Sequence, residues 1–180
     1  MGFIEQIRTS ETDEWYTTED TVEIIVPYLK RVGYHKILCP WDTDRSAFVK
    51  VLKEYGFDVT YSHIDTGTDF FNRTDLAEFD AVVSNPPFSM REKILERLFE
   101  AKVPFAIILN FNGLFDSRRR WKLFAENDFS LLIPFGRFKF WNDGHSYSQP
   151  NFQSVYVCHG MTDKQIEFVE QPDRQVAMEI

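Results

Sequence analysis

Short apolar runs alternate with amphipathic segments along residues 36–110, and this alternation constrains the fold more than any other feature. The runs are rich in β-branched and aromatic residues and are bounded by Gly, Pro and Asp, which is typical of strands. The segments between them at 42–56 and 89–102 have helical periodicity. Strands that alternate with helices form βαβ units, so a mostly parallel α/β sheet is predicted. The predicted strands are Lys36–Trp41, Phe57–Ile64, Phe79–Ser84 and Pro104–Asn110.

The segments outside this alternation carry different patterns. A helix is predicted before the first strand, closed by Gly33, and another near 117–126. Two or three strands after it are predicted to form an antiparallel hairpin at the sheet edge. The acidic residues from Met161 are expected to form a short helix and a loose end. We therefore expect a single domain over residues 1–180, with its core at about 13–160, a tail at 161–180 and no separate target-recognition domain.

Composition excludes several classes of protein. With 43% hydrophobic and 27% charged residues, the 180-residue chain is predicted to be globular, and no apolar run approaches the roughly 20 residues of a membrane helix. The polar N-terminus does not resemble a signal peptide, and two cysteines form no disulfide framework, so a cytoplasmic location is expected. The histidines and cysteines lack metal-ligand spacing, so no metal is expected. The net charge of −8 argues against a protein that coats nucleic acid by charge alone.

Distinctive residues follow the predicted strands at the ends where ligands bind in open parallel sheets. The sequence Asn85-Pro86-Pro87-Phe88 follows the third strand. Two prolines fix φ twice and remove two N–H donors, which leaves carbonyl oxygens as acceptors beside the Asn85 amide. Two acceptors on an aromatic amine would localise its lone pair and stabilise developing positive charge, while Phe88 stacks on the ring. The alternative is an ordinary strand-terminating turn with a cis proline.

At these residues the chain resembles the S-adenosylmethionine-dependent DNA adenine-N6 methyltransferases, in particular small phage-encoded members. The resemblance covers residues 13–158 and implies a Rossmann-like class I methyltransferase fold, with seven strands of which one is antiparallel. The segments 136–140 and 154–157 are similar to the family's edge hairpin. The catalytic residues that it implies are Asn85, Pro86, Pro87 and Phe88.

The resemblance also implies a site for S-adenosylmethionine. Asp13–Thr18 is similar to the segment preceding the methyl-donor site, and Gly67–Phe71 to the element whose Asp meets the adenine amine. The segment 39–46 keeps the proline and aromatic of the family's first loop but lacks its glycines, so side chains would hold the methionine end. A helix cap at 43–44 and a solvated Asp65 are the alternatives. The expected cofactor residues are Trp15, Tyr16, Thr17, Cys39, Pro40, Trp41, Asp42, Ser46, Asp65, Asp69 and Phe70.

Basic residues near the predicted fourth strand suggest a nucleic-acid contact. The residues that could contact phosphates are Arg118, Arg119, Arg120, Lys122, Arg137 and Lys139, and a solvated helix face is the alternative. The leading hypothesis is N6 methylation of adenine in DNA, with RNA or a free nucleotide as other substrates and with a partner subunit or homodimer. The second hypothesis is a methyltransferase-fold binding or decoy protein without turnover, such as a phage counter-defence protein in the host cytoplasm.

Overall fold

The fold was analysed in a computed structural model that describes residues 16–141, 147–148 and 150–172. Ten strands and five α-helices lie in these residues, with short 3₁₀ turns between them. The strands are β1 (Tyr16–Thr17), β2 (Lys36–Cys39), β3 (Asp58–Tyr61), β4 (Ala81–Ser84), β5 (Phe105–Asn110), β6 (Ser130–Pro134), β7 (Phe140–Trp141), β8 (Tyr147–Ser148), β9 (Ser154–His159) and β10 (Ile166–Val169). The helices are α1 (Glu19–Glu23), α2 (Val26–Val32), α3 (Ala47–Glu54), α4 (Arg91–Ala101) and α5 (Arg118–Glu126).

Seven strands form the main sheet in the order β10-β6-β9-β5-β4-β2-β3. Strand β9 runs antiparallel to β5 and β6, and the other neighbouring pairs are parallel. The predicted mostly parallel α/β sheet with one antiparallel strand is confirmed. The chain leaves β2 for β3 on one side and returns to β4 on the other, so the strand order reverses between β2 and β4. Ligands bind at such a reversal in open α/β sheets.

Helices cover both faces of the sheet, which explains the continuous apolar runs of the central strands. Side chains alternate between two core clusters: Ile37 and Cys39 pack with helices α1, α2 and α3, whereas Leu38 packs with α4 and α5. The largest buried side chains include Phe48, Phe105 and Tyr156. None of the described helices has the length and apolar character needed to cross a bilayer.

The N-terminal helix differs from the sequence prediction because it is divided. Helix α1 ends at Glu23 and α2 begins at Val26, with Pro27 in the first turn of α2. Proline has no N–H to donate to the carbonyl of the fourth preceding residue, so a continuous helix is interrupted there. The predicted end at Gly33 is confirmed, since this residue adopts the left-handed conformation with φ of 88°.

The C-terminal half differs more. The antiparallel pairs of the main sheet join β9 to β6 and to β5, and residues 136–140 do not take part in them. The connection instead forms a small sheet in which β7 pairs with β1 and β8. The helix predicted after Met161 is wrong, because β10 pairs in parallel with β6 at the sheet edge and extends the core beyond 160.

Glycine is required at Gly160, where the chain turns after β9 with φ of +72°. A Cβ there would lie 3.2 Å from Pro104 Cβ and 3.2 Å from Tyr34 Oη. The Tyr34 hydroxyl donates a hydrogen bond of 2.9 Å to the Gly160 carbonyl, which holds the turn in place. Gly56 also has a positive φ, of +88°, but nothing lies within 4 Å of its Cβ position.

We predict that Gly160→Ala destabilises the fold more than Gly56→Ala. The left-handed conformation costs about 1–2 kcal/mol in both variants, and crowding against Pro104 adds about 1 kcal/mol or more in the first. The measurement is the free energy of unfolding from urea titrations. Equal losses in the two variants would show that the space beside Pro104 accommodates a methyl group.

Candidate functional site

The candidate site lies where β2 and β4 end side by side. Asp42 follows β2 by three residues and is buried, with 7% exposure, and Ser84 is the last residue of β4 and fully buried. The Ser84 hydroxyl donates a short hydrogen bond to Asp42 Oδ2. The Asp42 amide donates to the Ser62 carbonyl at 3.0 Å, and the Ser62 amide donates to the Cys39 carbonyl at 3.1 Å. The Asp42 side chain is thus fixed against the start of the Asn85–Phe88 segment.

Burial has an electrostatic consequence at Asp42. Loss of solvent raises the pKa of its carboxyl to about 6, while hydrogen bonds from Ser84 and Ser46 and the nearby His63 oppose that rise. The same burial raises the pKa of the Cys39 thiol, which keeps this residue a neutral part of the core. An ionised carboxylate in this position is costly unless a cation or further donors approach it. The site therefore favours a cationic group beside Asp42.

The corner formed by Asn85-Pro86-Pro87-Phe88 begins directly after Ser84. Both prolines follow trans peptide bonds, so the alternative turn with a cis proline is not formed. The Asn85 Nδ2 donates to the Thr17 hydroxyl at 3.1 Å, and Asn85 Oδ1 is shielded from solvent. The Met90 amide donates to the Pro87 carbonyl at 3.1 Å. The Pro86 carbonyl oxygen is a further main-chain acceptor at this corner.

Phe88 begins a 3₁₀ turn and is half-buried. Its ring packs edge-to-face on Phe152, with the centroids 5.7 Å apart. Phe152 comes just before β9, and its position beside the corner depends on the antiparallel direction of that strand. The corner thus combines an amide, a main-chain carbonyl and two aromatic rings.

The glycine-free loop after β2 is closed by its own side chains. The Thr43 amide donates to the Ser46 hydroxyl at 2.9 Å, and the Ser46 amide donates to the Thr43 carbonyl at 3.1 Å. None of residues 39–46 has a positive φ, so this backbone has no need of glycine. Pro40 is buried, and Trp41 packs on Phe70 with the ring centroids 4.7 Å apart. The first loop and the Asp69–Phe70 segment are therefore brought together.

The remaining predicted cofactor residues differ in exposure. Asp69 accepts a hydrogen bond of 3.0 Å from the Phe71 amide and is half-buried. The Asp65 side chain is 83% exposed; its amide donates to His63 Nδ1 at 3.2 Å, and the same nitrogen lies 3.3 Å from Asp65 Oδ2. Tyr16 is exposed on β1, beside the buried Thr17, and Trp15 lies outside the described residues.

The predicted phosphate-contacting residues fall into two groups. Arg120 is only 12% exposed and donates to the Leu114 carbonyl at 3.0 Å, the Gly113 carbonyl at 2.9 Å and Glu92 at 3.0 Å, so its role is to hold the chain after β5. Arg119 pairs with Glu96. The exposed side chains are Arg118, Arg119, Lys122, Arg137 and Lys139; of these, Lys122 lies 3.7 Å from Glu126, and Arg137 donates to the Pro150 carbonyl.

Three residues of the site were missed by the sequence analysis. Ser84 directly precedes the Asn85 corner, and a polar residue ending an apolar strand was a signal that could have found it. Arg91 donates to the Asn112 and Gly113 carbonyls, both at 3.2 Å, and ties α4 to the loop after β5. Phe152 is distant in sequence from Phe88, and no local pattern marks it.

Two cavities of the described part of the chain have linings that do not include Asp42 or Asn85. One of about 430 Å³ is lined by Phe115, Asp116, Arg118 and Trp121. The other, of about 220 Å³, is lined by Phe135, Phe168, Val169 and Glu170. In the Asn85 corner, Pro87 is exposed, Asn85 and Phe88 are half-buried, and Pro86 and the Asn85 Oδ1 atom are buried. A ligand that binds Asn85 Oδ1 therefore needs a local opening.

Comparison with known proteins identifies the fold. No protein-family model and no curated protein sequence matches the chain. The chain is similar to the solved type I restriction-modification system methyltransferase subunit from Streptococcus thermophilus, with 15% identity, a TM-score of 0.51 and 93% of this chain covered. It is also similar to a protein assigned as a modification subunit of a type I restriction enzyme from Vibrio vulnificus YJ016, with 13% identity, a TM-score of 0.49 and 93% covered. The chain spans 49% of each of these structures, about half their length. It has an α/β Rossmann-like methyltransferase fold.

We predict that Asp42→Asn stabilises the protein above pH 6. Because the folded-state pKa is raised from 3.8 to about 6, the stabilising contribution of Asp42 is complete below pH 3.8 and is lost as the pH rises through 6. The Asn variant avoids that loss, which amounts to about 3 kcal/mol for a shift of about two units. The measurement is the free energy of unfolding between pH 4 and pH 8.

Asp80→Asn is the matched control, because the contribution of Asp80 to stability depends on pH in the opposite direction. The Asp80 carboxylate accepts hydrogen bonds of 2.8 Å from the Lys36 and His35 amides, which lower its pKa. Its contribution is therefore present above the ordinary carboxyl pKa and is lost as the pH falls. If Asp42→Asn behaved like Asp80→Asn, the electrostatic description of Asp42 would be wrong.

Proposed function

We propose that the chain is an S-adenosylmethionine-dependent methyltransferase that modifies the N6 amine of adenine in DNA. The observation that carries the proposal is the Asn85 corner at the strand-order reversal of a methyltransferase fold, joined to Asp42 through Ser84. The similarity to restriction-modification methyltransferases supports the fold, and the arrangement of the corner supports the reaction. The cofactor, the target base and the residue roles below are parts of this proposal.

The corner would activate a weak nucleophile. The lone pair of an adenine amine is delocalised into the ring, so it attacks carbon poorly until its N–H groups are held by acceptors. Thr17 accepts from Asn85 Nδ2, which leaves Oδ1 as the acceptor of the amide, and the Pro86 carbonyl supplies a second one. Both dipoles stabilise the positive charge that develops on the nitrogen. Phe88, supported by Phe152, would stack on the base.

The residues around Asp42 fit S-adenosylmethionine. A buried carboxylate whose pKa is raised by desolvation favours a cation, and the methionine part of this cofactor carries an ammonium group. Asp65, exposed beyond β3, suits ribose hydroxyls, and Asp69 beside Phe70 suits the adenine amine. When bound, S-adenosylmethionine supplies an electrophilic methyl group on a sulfonium. The hydroxyls of Thr43 and Ser46 would orient the loop that glycines form in the resembling family.

Access to the corner requires movement. Asn85 Oδ1 is shielded, and Thr17 of β1 contacts the same side chain. Strand β1 belongs to the small sheet with β7 and β8, which is joined to the main sheet through loops. We infer that displacement of this segment admits the target base, which in duplex DNA must also leave the stack.

A second candidate is a binding or decoy protein that retains the fold without turnover. The specific observation in its favour is the contact of Trp41 with Phe70, which places a protein ring against the aromatic expected beside the cofactor adenine. The net charge of −8 also allows an acidic surface that mimics nucleic acid. RNA and a free nucleotide are the other substrates consistent with the corner. Because the chain spans about half of the similar structures, a partner subunit or a second copy belongs to the proposal.

We predict that Asn85→Ala abolishes methyl transfer and leaves cofactor binding intact. Removal of the amide oxygen deletes one of two acceptors of the amine, which lowers the rate by about 100-fold or more. Asn85→Asp is the matched variant, because it retains an acceptor at the same position and is expected to keep measurable activity. The assay follows transfer of a labelled methyl group to mixed DNA, RNA and nucleotide substrates, with adenine-free DNA as the negative control.

Persistence of normal transfer in Asn85→Ala would show that the corner is not catalytic. Label that appears in RNA or nucleotide but not in DNA would reject the DNA assignment and retain the corner. A chain that transfers no label to any substrate would favour the binding protein.

We predict that S-adenosylmethionine binds more tightly at pH 7.5 than at pH 5. Asp42 ionises with a pKa of about 6, so only about a tenth of the protein carries the carboxylate at pH 5, and affinity falls about tenfold. Asp42→Asn should bind weakly and with little dependence on pH. Isothermal titration calorimetry measures both proteins. Absence of binding at either pH would contradict the methyl-donor site and favour the second candidate.

A further inference from the structure

The 430 Å³ cavity lies at the beginning of α5, outside the Asn85 corner. Trp121 borders it and is 61% exposed, which is high for the largest apolar side chain. Phe115 forms a second aromatic wall, and Arg118 supplies a guanidinium. An exposed indole and a cation around one concavity are typical of surfaces that stack a planar, anionic ligand.

Arg118 is the basic side chain of this helix turn that lines the cavity. Arg119 pairs with Glu96, Arg120 with Glu92 and Lys122 with Glu126, whereas among the described residues no carboxylate lies within ion-pair distance of Arg118. Asp116 also lines the cavity, but its Oδ2 and an Nη of Arg91 both lie within 3.4 Å of the Cβ position of Gly113. Arg91 therefore lies near Asp116 and interacts with it electrostatically, while Arg118 is the cation that lines the cavity itself.

Aromatic residues connect the cavity to the Asn85 corner. Phe88 contacts Phe152, and the carbonyl of the next residue, Gln153, accepts a hydrogen bond of 2.7 Å from the Phe111 amide. The Phe111 ring packs edge-to-face on Phe115, with centroids 6.3 Å apart. Arg91 fixes the intervening loop at Asn112 and Gly113. The corner and the cavity therefore lie at the same end of the sheet and are linked by this series of contacts.

We propose that this cavity binds a nucleotide of an unpaired DNA strand, with its base stacked on Trp121 and its phosphate at Arg118, while the target adenine occupies the Asn85 corner. This inference rests on the proposed function and specifies its substrate class as single-stranded or locally unpaired DNA. A base that is paired within a duplex cannot present its face to an indole on the protein surface.

The charges of the chain favour a single strand over a duplex. Duplex binding draws on many phosphate contacts, and this protein has a net charge of −8 with most cations near the cavity held in ion pairs. Stacking on aromatic side chains requires no net positive charge and tolerates any base. Because the cavity offers one indole for stacking and one guanidinium for a phosphate, an unpaired strand suits it better than a duplex.

The test measures binding of a fluorescein-labelled DNA strand, and of its duplex, to the full chain by anisotropy without cofactor. The wild-type protein should bind the single strand more tightly, and Trp121→Ala should weaken that binding on the order of 10- to 100-fold. Trp121→Phe keeps a ring and should retain most of the affinity. Phe168→Ala is the matched control, since this aromatic is 82% exposed and lines the other cavity.

Salt dependence separates stacking from charge. Arg118→Gln should lower the slope of log affinity against log salt by about 0.7, the value for one phosphate contact on a single strand. Trp121→Ala should leave that slope unchanged while the affinity falls.

Equal affinity of Trp121→Ala and wild type, or tighter binding of the duplex or of an RNA strand, would overturn the inference. Such a result leaves the proposed function standing if Asn85→Ala still abolishes methyl transfer. Conversely, strand binding through Trp121 without transfer to any adenine would reject the reaction and retain the nucleic-acid site.

Discussion

A buried hydrogen bond from the Ser84 hydroxyl to the Asp42 carboxylate joins the ends of β2 and β4, and the candidate site depends on it. These strands are neighbours across the strand-order reversal, so Asp42 and Asn85 meet although 43 positions apart in sequence. Loss of the Ser84 donor would leave a buried carboxylate less well stabilised. Because Asn85 follows Ser84 directly, the same hydrogen bond fixes the start of the corner relative to Asp42.

The parts of the fold that the sequence predicted are those determined locally. Strands β2, β4 and β5 are buried on both faces, so their apolar runs are unmistakable, whereas the edge strand β3 is marked by its alternation and β-branched residues, and Asn85–Phe88 by its prolines. Strand β10 was missed because Ile166 and Phe168 are exposed and its stability comes from pairing with β6. The contacts of Phe88 with Phe152 and of Asn85 with Thr17 join residues far apart in the chain, and no periodicity encodes them.

The loop after β2 shows how side chains can replace glycine. A glycine-rich turn brings bare backbone close to a ligand. Here the backbone stays in ordinary conformations, and the Thr43–Ser46 hydrogen bonds close the turn while Ser46 also donates to Asp42. In the proposed function, a buried carboxylate would then take over the recognition that main-chain amides provide in a glycine-rich turn. A site of this kind binds a cation well only when the carboxylate is ionised.

The arginines of residues 118–120 show why charge counts alone do not locate a nucleic-acid surface. Arg120 satisfies the carbonyls of Gly113 and Leu114, Arg119 is paired with Glu96, and Arg118 alone faces the cavity beside Trp121. The positive charge of this segment serves mainly to hold α5 against α4 and the loop after β5. Contact of a nucleic acid with the exposed Trp121 indole, as we propose, would add affinity that the paired cations of this segment do not supply. On that proposal an acidic protein and a nucleic-acid substrate are compatible.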